Sequence, residues 1–128
     1  MKTFTFKYRT DAVTDAFRRL KRAVKSRKPD LNPDVMFCDS YDAMTSLMTE
    51  ARFDAIESIK EHNPDSMYQL AKILKRDQAN VFRDVKALVE IGILELEAIK
   101  KDGRELQKPI LLYDKIVFEW QPAKASGM

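Results

Sequence analysis

From Ala12 onward the hydrophobic period of this chain changes once, at Gly92, and that change constrains the fold more than any other feature. Before Gly92 apolar residues recur at helical spacing; after it they alternate. Thr49 is placed to cap a helix with Phe53, Ile56 and Ile59 inward. Asn63-Pro64 ends that helix, because the residue before a proline is pushed out of the α region. Ser66-Met67-Tyr68-Gln69 has the form of a capping box and opens a short helix with Leu70, Ile73 and Leu74 inside. Lys75-Arg76 make a tight turn, Asp77 caps the next helix, and Val81, Val85, Leu88 and Val89 form its buried stripe. Gly92 suits the C′ position, where a left-handed conformation costs glycine little.

Beyond it, Leu94, Leu96 and Ala98 alternate with Glu95, Glu97 and Ile99, and Asp102-Gly103 is a strong hairpin signal. With those two as the turn, Lys101 faces Arg104, Lys100 faces Glu105 and Glu97 faces Lys108. Two of these pairs attract. Lys101 opposite Arg104 repels, and phosphate at the hairpin tip would relieve it. Ile110 to Tyr113 and Ile116 to Phe118 continue as strand.

Towards the amino terminus Phe4, Phe6 and Tyr8 alternate with polar residues, as in a short strand. Ala12, Ala16, Phe17, Leu20, Ala23 and Val24 then mark an amphipathic helix over 12–26 with a basic outer face. Pro29 and Pro33 punctuate a loop running to about residue 39, and Ser40 can cap a short helix carrying Met44, Leu47 and Met48. With 128 residues, one domain with an extension is expected. Residues 1–39 would form an arm of strand and basic helix, 40–121 a mainly α domain with a β-hairpin (an α+β fold), and 122–128 a frayed tail.

Composition excludes several classes. One cysteine, Cys38, and one histidine, His62, leave neither a disulfide framework nor a Cys- or His-based zinc site. No apolar run approaches the roughly 20 residues that span a bilayer, and the amino terminus lacks a signal-peptide core. A cytoplasmic protein without a membrane partner is therefore expected. There is no Gly-rich phosphate loop, nucleophile elbow or HExxH motif, and the acid pairs Asp39/Asp42 and Glu95/Glu97 lack a catalytic partner. Neither an enzyme nor a cofactor is expected. The net charge is only +3, but residues 1–28 hold ten basic and two acidic side chains, residues 29–65 two and nine. A basic run from Arg18 to Lys28 beside an acidic segment fits a molecule that presents one face to a polyanion. It fits a solvated helix face equally well.

Helix, helix, tight turn, helix, hairpin is the order of a winged helix-turn-helix, in which the second helix of the turn enters the major groove. At 100° per residue, Ala79, Asn80, Arg83 and Lys86 fall opposite the valines of helix 77–91, with Gln78 and Phe82 at one edge. Arg83 suits guanine O6/N7, and Gln78 or Asn80 suits adenine N6/N7. Small Ala79 permits close approach. Lys86, Lys75 and Arg76 suit phosphates, as do Ser66 and Tyr68. In the wing, 93–113, Lys100, Lys101, Arg104 and Lys108 suit the backbone or an AT-rich minor groove. Asp84 would flank phosphate unless a salt bridge with Arg83 or Arg76 holds it.

Leu70, Ala71, Leu74, Arg76, Asp77, Asn80, Val81, Arg83, Asp84, Val85, Leu88 and Gly92 together form a pattern that resembles prokaryotic winged-helix regulators. The likeness is greatest to predicted regulators related to the multiple-antibiotic-resistance and arsenical-resistance repressor families, and it covers roughly residues 40–113. It implies sequence-specific binding of double-stranded DNA, usually as a homodimer, and local transcriptional control. Some members resemble antitoxins, which implies a second reading: a protein that neutralises a toxin-like partner and regulates its own operon. A small-molecule-responsive repressor ranks lower, since no effector pocket is recognisable. The apolar stripe of helix 12–26 needs a partner, so a dimer interface is expected from Phe4, Phe6, Tyr8, Ala16, Phe17, Leu20 and Val24, with Ile116 to Trp120 as a further contributor. The alternative is that the basic face of this helix lies on DNA.

Overall fold

The computed structural model of the chain describes residues 1–8 and 34–120. They divide into two compact units, one being Met48–Asp114 and the other Met1–Leu47 with Lys115–Met128. The helix expected over 12–26, with Ala16, Phe17, Leu20 and Val24, and the tail from 122 lie outside the described residues.

In the second of these units β1 (Thr3–Tyr8) is the middle strand of a three-stranded parallel sheet, between β2 (Val35–Cys38) and β5 (Lys115–Trp120). Register sets Phe6 beside Met36 on one side and Phe118 on the other. The Phe6 and Phe118 rings stack at 5.2 Å and 8°, and Phe4 meets Phe6 edge-on at 5.1 Å. Lys7 and Glu119, also in register, pair at 4.0 Å. Helix α1 (Tyr41–Leu47) follows, with Ser40 Oγ accepting from the Ala43 N–H at 3.0 Å, and it packs on β1 and β2 with Met44 buried.

Four expectations are corrected here. The loop to residue 39 contains a strand: Val35-Met36-Phe37-Cys38 is an unbroken apolar run, the form of a parallel strand covered on both faces, and it has no alternation to find. The 115–120 strand does not extend the hairpin domain but pairs with β1, so the domain expected over 40–121 contracts to Met48–Asp114. Phe4 and Phe6 are 1% and 0% exposed within their own chain, so they are core rather than dimer surface. Tyr8 is half-buried. With four helices and five strands among the described residues, the fold is a mixed α and β one rather than mainly α.

The unit Met48–Asp114 follows the local signals closely. Helix α2 (Glu50–His62) starts at Thr49, whose side chain accepts from the Arg52 N–H, and ends at Asn63 in the left-handed region. Helix α3 (Met67–Leu74) starts at Ser66, which accepts from the Gln69 N–H at 3.0 Å; Gln69 Oε1 reaches back to the Asp65 N–H at 2.6 Å. Lys75, at φ 55°, closes it. Helix α4 (Gln78–Ile91) starts at Asp77, which accepts from the Asn80 N–H, and ends at Gly92, at φ 103°. The antiparallel pair β3 (Leu94–Lys101) and β4 (Arg104–Leu111) has the register expected, around Asp102 and Gly103, both at positive φ. Pro109 is buried within β4, where a two-stranded ladder leaves every second N–H position unneeded. The three helices pack on one another and on the hairpin. Ala55, Ile59, Leu70, Ala71, Val81, Val85, Leu88, Ile93 and Leu94 are the core between them, at about 1.5–3 kcal/mol for each large side chain removed from water.

Candidate nucleic-acid interface

Helix α4 turns two chemically different faces to its surroundings. Val81, Asp84, Val85 and Leu88 are buried, at positions one helical turn apart. Gln78, Ala79, Asn80, Arg83 and Lys86 are all exposed. A shallow groove runs along this outer face, lined by Ala79, Phe82, Arg83, Lys86, Ala87 and Glu90. Among the described residues, Arg83 and Lys86 enter no ion pair.

Asp84 fixes where the turn before α4 sits. Its Oδ2 accepts from Arg76 Nη2 at 3.0 Å and its Oδ1 from Arg52 Nε at 3.2 Å. Of the two arginines expected to hold Asp84, Arg76 does so, while Arg83 faces outward. This occupies Arg76, whose expected phosphate contact is replaced by an internal one. Arg52 escaped the sequence reading. The signal for it was present, since a carboxylate spaced with Val81, Val85 and Leu88 points inward and an inward carboxylate needs cations. Lys75 beside it stays exposed, its backbone closing α3 by donating to Ala71 and Lys72 carbonyls. Tyr68 is exposed with Lys72 Nζ 5.2 Å from its ring centroid, and Ser66 is half-buried with its oxygen used in the cap.

At the hairpin, Lys100 and Arg104 are exposed and, among the described residues, unpaired. Lys101 and Lys108 are not available in the same way. Lys101 Nζ donates to Asp65 Oδ2. Lys108 Nζ lies 3.6 Å from Asp65 Oδ1 and donates to the carbonyls of Asn63 and Pro64 at 3.3 and 3.4 Å. The hydrogen bond from Lys101 holds the Asp65 carboxyl below its ordinary value, and Asp65 in turn raises Lys101. Repulsion between Lys101 and Arg104 is thus offset by a carboxylate of the α2–α3 loop, not by an external phosphate. The two strands' lysines tie the hairpin to that loop.

The remaining candidates are plain. Cys38 is buried on β2, and desolvation followed by the charge of Asp39 pushes its thiol up, which opposes thiolate chemistry. Among the described residues no group of three or more His, Cys, Asp or Glu is placed to hold a metal ion. Nor, among them, is any helix long and apolar enough to cross a membrane.

No curated protein and no solved structure matches the chain. One family model does, over residues 47–118, more than half of the chain, taking in α2, α3, α4, the hairpin and the first part of β5. On that match the chain belongs to the HVO_A0114 family.

Proposed function

We propose that the chain is a cytoplasmic transcriptional regulator that binds double-stranded DNA sequence-specifically as a homodimer, with Met48–Asp114 acting as a winged helix-turn-helix. The observation that carries this reading is the outer face of α4, where Gln78, Ala79, Asn80, Arg83 and Lys86 stand exposed together. That set pairs a small residue for close approach with side chains whose geometry matches base edges. Lys75 and Lys86 supply phosphate contacts, and Lys100 and Arg104 supply those of the wing. The homodimer draws its support from β5, the last strand of its sheet, where Phe118 and Trp120 are 43% and 61% exposed. A two-fold would set the two α4 helices about 34 Å apart, one turn of B-DNA.

The test is selection of bound duplexes from a random pool, with the mass in solution measured alongside. A palindromic winner and twice the 14.9 kDa of one chain are expected. Arg83→Ala should then weaken binding to the winner by about 1–3 kcal/mol and leave random DNA nearly unaffected. A pool with no enriched duplex overturns the proposal.

A further inference from the structure

The outer face of α4 is not uniformly polar. Ala79, Phe82 and Ala87 share one groove with Arg83, Lys86 and Glu90. Phe82 is half-buried, and it stands outside the inward stripe of Val81, Asp84, Val85 and Leu88. A large aromatic at the edge of a groove-facing surface is unexplained by phosphate contacts or by the hydrogen bonds assigned to Gln78, Asn80 and Arg83. The major groove offers one apolar feature, the C5-methyl of thymine.

Position along the helix narrows the target. Ala79, Phe82 and Arg83 are spaced so that all three lie on one face. Four residues of helix rise about 6 Å, less than two base-pair steps of about 3.4 Å. Glu90 lies two turns beyond Phe82 in the same groove and repels phosphate there, so contact concentrates on the amino-terminal half of α4.

We propose that Ala79 and Phe82 form an apolar strip that reads the methyl group of a thymine within two base pairs of the guanine assigned to Arg83. This inference rests on the DNA-reading function above and names part of its specificity. It uses the unmodified chain as its main probe. Each thymine of the selected duplex is replaced in turn by deoxyuracil, which lacks only the methyl group, and affinity is measured at one salt concentration.

Removing the contacted methyl should weaken binding about fourfold, the worth of one buried methyl, while other thymines have no effect. In Phe82→Ala the thymine and uracil duplexes should bind equally. Phe82→Leu, which keeps an apolar side chain at that position, should retain part of the preference. Equal binding of every uracil duplex by the unmodified chain overturns the inference and leaves the DNA-binding proposal standing. So does a selected site with no thymine within two base pairs of a guanine. Failure to select any duplex overturns both.

Discussion

Asp84 concentrates more of this protein's local energetics than any residue assigned to DNA. Its side chain is 13% exposed between Arg52 at 16% and Arg76 at 30%. Removing it leaves two guanidinium groups facing each other with little water. Removing one partner of a buried pair costs about 3–5 kcal/mol, and the partial exposure of Arg76 puts Asp84→Ala nearer the lower end. Urea unfolding measures this. Arg76→Ala should also destabilise, yet leave the salt dependence of DNA binding unchanged, because its charge is spent internally. An unfolding midpoint equal to that of the unaltered chain for Asp84→Ala would remove the network from the account. That Asp84 needed a cation was legible, since its spacing puts it on the inward stripe. Which cation was not, because Arg52 is 32 positions away and its approach depends on how α2 packs on α4.

The elements themselves separate into those coded locally and those coded by distant partners. Caps at Thr49, Ser66, Asp77 and Gly92 and the Asp102-Gly103 turn each act within a few residues, so α2, α3, α4 and the hairpin register could be read directly. The parallel sheet could not. Its strands come from residues 3, 35 and 115 onward, and β2 carries no periodicity at all. The hairpin's orientation falls between these cases, since Lys101 and Lys108 show as charged strand residues while Asp65 as their shared partner does not.

Titration of Asp65 gives a sign that can be checked. Its folded carboxyl is held below the ordinary 3.8, so the folded chain binds fewer protons than the unfolded one as acid is added. The contribution is complete above 3.8 and disappears as pH falls through the lowered value. Lys101 is raised above 10.5, so its contribution is present below that and lost as pH climbs through the raised value. Asp65→Asn should flatten the acid limb of the stability curve, read by urea unfolding from about pH 5 down to about pH 2. It should also strengthen binding to random DNA, because Lys101 is released towards phosphate. A parallel acid limb in variant and parent would deny Asp65 this role.

At the scale of the whole molecule, charge is unevenly divided. Met48–Asp114 carries eleven basic and thirteen acidic side chains, while the rest of the chain carries twelve against seven. A unit with no excess of positive charge cannot hold DNA by bulk attraction. On the proposed reading, binding would come from a few placed cations, and with Arg76, Lys101 and Lys108 committed internally those assigned to phosphate are Lys75, Lys86, Lys100 and Arg104. In the proposed homodimer two protomers would make about eight phosphate contacts, and the logarithm of affinity should fall with that of salt at a slope near −7. Lys100→Ala or Arg104→Ala should each make the dimer's slope shallower by about 1.8, whereas Lys101→Ala should barely move it. A slope beyond about −12 would need more cations than this unit has free, and would assign contacts to the run from Arg18 to Lys28. Replacing Arg18, Arg19, Lys21 and Arg22 by glutamine separates the two cases, since an unchanged slope keeps recognition within α4 and the hairpin.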